Sequence, residues 1–171
     1  MTCDQGAAAA SLPGFVRPEV DHDSAPFWAS LRDRRLVVQR CTGCRTLRWP
    51  FRSVCAVCRV RECTEETMSG DGTLYSWTVI HHATVPTPPA LLPYCVALVA
   101  LAEDPRILIP AQYDGPRGEL CSGLPVTAAY HDVTDDLTVL HWRRRGGRGE
   151  RGLGERAAGE RAAGEPAAGA P

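Results

Sequence analysis

The chain has 171 residues, 44% of them hydrophobic and 23% charged, with 16 Gly, 14 Pro and 8 Cys and a formal net charge of −1. Its longest apolar run, Tyr94 to Ala102, is nine residues, far short of the roughly 20 that cross a bilayer. Residues 1 to 20 show no charged amino end followed by an apolar run. Neither a membrane span nor an export signal is therefore expected, and the reducing cytoplasm is the expected compartment.

In chain order, residues 1–22 read as a flexible leader with an Ala run and no periodic apolar pattern. Residues 23–35 read as a helix: Asp23 or Ser24 can cap it, Pro26 suits its first turn, and Phe27, Trp28 and Leu31 share one face. That face is expected to pack on the chain's own next segment, with docking on a partner as the alternative. Residues 36–62 read as a zinc ribbon. Leu36-Val37-Val38-Gln39-Arg40 has strand character and runs into Cys41-Thr42-Gly43-Cys44. A short strand at Thr46–Phe51 follows, with Pro50 confining it to an edge or bend, and then Cys55-Ala56-Val57-Cys58. Trp49 and Phe51 are expected to cover the cage.

The spacing C-x2-C-x10-C-x2-C is the sharpest signal in the chain. Each C-x-x-C pair can turn two thiolates to one side of a tight turn, and two such turns supply the four soft ligands of a tetrahedral metal. Cys41, Cys44, Cys55 and Cys58 are thus the expected ligands of a structural Zn2+, with iron in the same cage as the rival. A closed set of four sulfurs leaves no open coordination position for catalysis. Cys63, five residues past the last expected ligand, could be a spare or a competing ligand. Arg45 and Arg59 stand where Gly often follows such a knuckle, which weakens the turn without removing a ligand.

Residues 63–142 read as a small antiparallel barrel of five short strands, of the OB type, with no room for a long helix. After a first strand at Glu62–Ser69, five more are expected around Thr73–His81, Tyr94–Leu101, Arg106–Gln112, Pro125–Tyr130 and Leu137–Trp142, with a proline-dense loop at 83–93. Residues 143–171 begin Arg-Arg-Arg-Gly-Gly-Arg-Gly and continue as a five-residue near-repeat of Gly, Glu, Arg and Ala. This segment is expected to be a disordered, solubilising tail.

The near-neutral total hides a division. Residues 32–61 carry nine Arg against the single acid Asp33, while residues 62–142 carry two Arg against eleven Asp and Glu. The two segments therefore either attract each other or meet different partners. No phosphate-binding Gly loop, dinucleotide fingerprint or nucleophile elbow is present. His81-His82 reads as a solvated strand end, Cys95 as core, Cys121 as a loop thiol without an assured base, and Asp135-Asp136 as turn residues. Binding is favoured over catalysis. The Arg cluster of the ribbon, with Trp49 and Phe51 nearby, suits a compact anion such as a nucleotide diphosphate or an acidic protein surface, with Arg48 and Arg52 between the knuckles as the candidates for that contact.

Several segments together resemble a known family: Phe27-Trp28, Arg35-Leu36-Val37-Val38-Gln39-Arg40-Cys41, Cys44, Trp49-Pro50, Cys55-x-x-Cys58, Gly70-x-Gly72-Thr73-Leu74-Tyr75-Ser76-Trp77-Thr78 and Leu92-Pro93-Tyr94. This order of motifs, over about residues 26 to 142, is similar to that of the rubredoxin-like zinc-ribbon plus OB-fold proteins, a domain family of unknown function that accompanies thiolases. The resemblance implies a mainly β fold and a non-catalytic accessory subunit in a hetero-oligomer. The implied partner is a thiolase-like, ketosynthase-like or aldolase enzyme, in some cases beside a hydratase, whose acyl-CoA site the subunit helps to form in lipid, sterol or polyketide metabolism. Arg34, Arg45 and the Asp104-Pro105 turn depart from the family pattern. The alternative, a single-stranded nucleic-acid-binding OB protein, is disfavoured because the acidic barrel segment would repel phosphates.

Overall fold

The computed structural model describes residues 17–82 and 92–146. Most of the expected leader, the proline-dense loop from 83 to 91 and the repeat tail from 147 onward lie outside the described residues.

One helix, α1 (Ala25–Arg32), precedes all the strands. Asp21 and Ser24 tie its entry together, the Ser24 amide donating to Asp21 Oδ1 at 2.7 Å and the Asp21 amide to Ser24 Oγ at 3.1 Å. Pro26 lies in the first turn, where no intrahelical amide bond is lost. At the other end the Arg35 amide donates to Ser30 O at 2.9 Å and the Arg34 amide to Leu31 O at 3.0 Å, with Arg34 at φ 56°. This is a Schellman closure with Arg in the usual Gly position.

Three strands form the ribbon sheet: β1 (Leu36–Cys41), β2 (Leu47–Arg48) and β3 (Cys63–Met68), in the order β2-β1-β3. β1 is central and nearly all of it is buried. β3, read from the sequence with the barrel segment, is paired antiparallel with β1 from Leu36↔Met68 to Cys41↔Cys63 and so joins the ribbon sheet. One of its two acids, Glu66, accepts from the Arg40 guanidinium of β1. The opposite charges of neighbouring segments thus meet within one sheet.

The remaining strands, β4 (Asp71–Ile80), β5 (Tyr94–Leu101), β6 (Leu108–Tyr113), β7 (Pro125–Thr134) and β8 (Leu137–Arg144), close a barrel in the order β4-β5-β6-β8-β7. All pairs are antiparallel except the short β6–β8 seam, Gln112↔His141 and Tyr113↔Trp142. β8 runs two residues into the segment expected as tail, because Arg143 and Arg144 pair with Thr127 and Val126 of β7. Alternation sends Leu74, Val99, Ile109, Val126 and Trp142 inward. Trp142 is fully buried and its indole N–H donates to Ile109 O at 3.2 Å, so its polar atom is satisfied. Gly72 permits β4 and β5 to approach, since a Cβ there would lie 2.5 Å from Ala100 O.

α1 closes the space between the two sheets. Leu31, Leu36, Val38 and Met68 belong to the same apolar cluster as the barrel interior. Phe27 meets Trp49 and Phe51 of the ribbon edge-on, with centroids 5.9 and 6.2 Å apart. The helix face expected to pack on the ribbon therefore serves both modules. Arg34 fastens its end to β7, donating to Tyr130 O at 2.8 Å and pairing with Asp132. Among the described residues, no helix is long and apolar enough to cross a membrane.

Candidate metal centre and anion hollow

The two cysteine turns have the same backbone plan. In the first, the Cys41 amide donates to Thr46 O and the Arg45 amide to Cys41 O, both at 3.0 Å; in the second, the Cys55 amide donates to Val60 O and the Arg59 amide to Cys55 O, both at 2.9 Å. Arg45 and Arg59 each adopt φ 64°. The missing glycines leave the knuckle geometry intact, and two Arg residues occupy left-handed backbone instead, a conformation costing about 1–2 kcal/mol for an L-residue. Gly43 lies where the turns face each other: a Cβ there would be 2.9 Å from Val60 Cγ2 and 3.3 Å from Cys58 Sγ.

Facing turns bring all four sulfurs within 4.8 Å of one another. Cys41 and Cys58 Sγ are 3.4 Å apart, and Cys44 and Cys55 Sγ 3.6 Å. A tetrahedron of thiolates at a Zn–S distance of 2.3 Å has edges of about 3.8 Å, so the donor set fits such an ion with little movement. The Thr46 hydroxyl and amide bring the Cys44 thiol down to about 6. At Cys58 the Val60 amide acts to lower the thiol, yet the sulfurs of Cys41, Cys44 and Cys55, together with burial, push it up to about 11. Crowding makes ionising the fourth thiol costly unless a dication neutralises the set. Cys63 stands outside the cluster, exposed, its sulfur accepting from Gln39 Nε2 at 3.4 Å.

Behind the second knuckle is a hollow of about 270 Å³, lined by Arg48, Trp49, Arg52, Val57, Asp104 and Arg106 among others. Arg48, on β2, is about nine-tenths buried, and none of its three guanidinium nitrogens has a hydrogen-bond partner among the described residues. Arg52 is exposed, its amide donates to Gln39 Oε1 at 2.9 Å, and its guanidinium has no hydrogen-bond partner among the described residues. The Asp104 carboxylate is already engaged by Arg106, accepting from Nε at 2.9 Å and Nη2 at 2.7 Å. That bond to Arg106 holds the Asp104 carboxyl below the usual carboxylate range. The hollow thus carries three Arg against one paired acid. Asp104 and Arg106 were read from sequence only as a turn and a strand start; the signal was an Asp-Pro-Arg turn returning a charge to the ribbon. A larger hollow of about 730 Å³, between the end of α1 and the β7–β8 turn, has Arg34 and Asp132 paired in its wall.

The other candidates are dispersed. Cys95 is buried in the barrel core, and Cys121, His81 and His82 are exposed. Asp136 of the β7–β8 turn accepts from Thr134 Oγ1 at 2.7 Å and pairs with Arg17, a local and structural use.

Two family models match the chain: the rubredoxin-like zinc ribbon domain of ChsH2 over residues 28–63, and the C-terminal OB-fold domain of ChsH2 over residues 65–131. A DUF35 domain-containing scaffold protein of Methanocaldococcus jannaschii is 30% identical over 111 residues, covering 64% of this chain and 77% of that protein. The chain belongs to the ChsH2/DUF35 family. Family membership accounts for the ribbon, the barrel and the four cysteines together. A probable enoyl-CoA hydratase alpha subunit of Thermomonospora curvata is 34% identical over 123 residues, 72% of this chain but 38% of the relative, so the chain spans under two fifths of that relative's length. A solved structure described as Ltp2-ChsH2(DUF35) aldolase is 32% identical with a TM-score of 0.68, and the match covers 75% of this chain and 98% of that one.

Proposed function

We propose that this ChsH2/DUF35 chain is a non-catalytic accessory subunit that docks on a thiolase-like, ketosynthase-like or aldolase enzyme and helps to form that enzyme's acyl-CoA site. The four cysteines hold a structural Zn2+ that fixes the ribbon. Arg48, with Arg52 beside it, receives a phosphate of the acyl-CoA.

The buried guanidinium of Arg48 carries this reading. An unpaired interior charge costs several kcal/mol, and a chain that retains one has its counter-anion supplied from outside. Guanidinium matches phosphate through its fork of donors, and Trp49 and Val57 give the hollow an apolar wall alongside the charge. The relatives' names support an acyl-CoA enzyme as partner, since one is a hydratase alpha subunit and another an aldolase assembly. Cys95 and Cys121 have no basic hydrogen-bond partner among the described residues, so neither is set up as a nucleophile.

Affinity purification of the full chain from its source cell tests the reading. A thiolase-fold or related acyl-CoA enzyme should co-purify and lose turnover when the chain is stripped away. Arg48→Met should raise the KM of the complex for acyl-CoA at least about ten-fold, equivalent to about 1.4 kcal/mol, while the complex still assembles. Weaker assembly, with an unchanged KM in the complex that still forms, would instead place an acidic side chain of the partner on Arg48. Turnover of an acyl thioester by the isolated chain would overturn the accessory role.

A further inference from the structure

We infer that Asp114, His131 and His141 form a second metal site, on the outer wall of the barrel, for one divalent cation of the zinc, cobalt or nickel class. It is separate from the four sulfurs and stands independently of the accessory role proposed above. His131 lies on β7 and His141 on β8, in the register His131↔Val139 and Ala129↔His141. The two imidazoles are therefore diagonal neighbours on one face, and their rings lie 4.2 Å apart with planes 32° from parallel.

The third donor arrives through the parallel seam. β6 runs beside β8 with Gln112↔His141 and Tyr113↔Trp142, and the Asp114 amide continues the pairing by donating to Trp142 O at 2.7 Å. This sets the carboxylate between the rings: Oδ2 is 2.6 Å from His131 Nε2, and Oδ1 is 2.6 Å from His141 Nδ1. One donor atom from each residue lies within 4.8 Å of the others.

Two imidazoles and a carboxylate are the donor set that borderline divalent metals prefer. All three come from the strands of a closed barrel or the residue directly following one, so the backbone fixes their convergence. The 2.6 Å separations are those of hydrogen bonds, whereas donors about 2.1 Å from a tetrahedral zinc sit about 3.4 Å apart. The site must open slightly to admit an ion. His131 can do so, because its side chain is 47% exposed while those of His141 and Asp114 are 17% and 28% exposed. The same exposure leaves the remaining coordination positions facing outward, toward water or a donor side chain from another protein.

The test is a count of metal ions on the full-length chain. Protein passed over chelating resin should retain one zinc in the four-cysteine cage, and equilibrium dialysis against micromolar Zn2+ should then add a second. The imidazole NMR signals of His131 and His141 should move only with that second equivalent. His131→Ala, at an exposed position, should keep the first zinc and lose the second; Asp114→Asn should weaken the second at least ten-fold. A wild-type chain that takes up no zinc beyond the cage, or a second equivalent that persists in both variants, would overturn the assignment. In the first case the cluster is a hydrogen-bonded clamp, and in the second the extra ion sits elsewhere.

Discussion

From residue 42 to residue 62 only Arg48, Phe51 and Cys55 are buried, whereas β4 to β8 enclose Leu74, Val99, Leu101, Ile109, Val126, Leu140 and Trp142 in one continuous core. The first region is ordered by a few directional bonds and the convergence of four cysteines. The second is ordered by apolar area, each fully buried large side chain contributing about 1.5–3 kcal/mol. The two regions should therefore fail separately, and under different insults.

The largest expected effect breaks the cage. Cys55→Ser, or removal of the metal with a strong chelator, should cost the knuckles the binding free energy of a structural zinc, on the order of 10 kcal/mol. Amide exchange by NMR should show the Arg45, Cys55 and Arg59 amides losing protection while those of β5 and β8 keep theirs. Elemental analysis of the purified chain should find zinc and little iron. Loss of protection throughout the barrel on chelation would show instead that the metal organises the whole chain.

The converse attack is on Trp142. Trp142→Ala should destabilise the barrel by about 3–5 kcal/mol through the cavity and the lost contacts, read as a lower denaturation midpoint, while the zinc content of the folded fraction stays the same. Because Leu36, Val38 and Met68 share the barrel's apolar cluster, the β1–β3 pairing should weaken with it. The knuckles beyond Cys41 should not.

Arg48 lies where the two regions meet. A buried cation without an internal partner weakens the isolated chain, so Arg48→Met should raise its stability by at least about 1 kcal/mol, since even paired buried charges often give a gain of about 1–4 kcal/mol when replaced by apolar groups of similar size. The same change is expected to impair the acyl-CoA complex. An unchanged or lower denaturation midpoint for the isolated Arg48→Met chain would mean that the guanidinium finds a partner within the chain.

What could be read from the sequence follows the same division. Spacing within a turn is local, so the convergence of Cys41, Cys44, Cys55 and Cys58 was legible from their intervals, and the unbroken apolar run Tyr94–Leu101 declared a strand. Long-range pairing was not. β3 has the composition of a barrel strand, and only its pairing with β1 places it in the ribbon sheet. Asp114, His131 and His141 were invisible for a sharper reason. A regular hairpin across the Thr134↔Leu137 closure would set His131 opposite Leu140, and His131 and His141 would then point to opposite faces. The irregularity between Asp132 and Thr134 shifts the register by one and brings both rings to one face. Nothing in the residue types from Asp132 to Thr134 announces that shift. The burial of Arg48 was likewise hidden, because it depends on the β5–β6 turn folding back over the ribbon.

The smallest effects concern three arginines in left-handed backbone, Arg34 at φ 56° and Arg45 and Arg59 at φ 64°. Glycine relieves that strain but loses more chain entropy on folding, which leaves a net gain of about 0.5–1 kcal/mol where the side chain does nothing else. Arg59→Gly should give this gain and slow zinc loss to a chelator. Arg45→Gly should do the same, since the contact it makes to Arg40 uses its carbonyl, which glycine keeps. Arg34→Gly should behave differently. Its guanidinium holds Tyr130 O and Asp132 on β7, so the relief at the helix end is offset by the loss of the tie between α1 and the barrel, and the midpoint should stay level or fall. A gain at Arg34 equal to that at Arg59 would mean that the tie contributes nothing and that burial of Leu31 alone keeps the helix on the barrel.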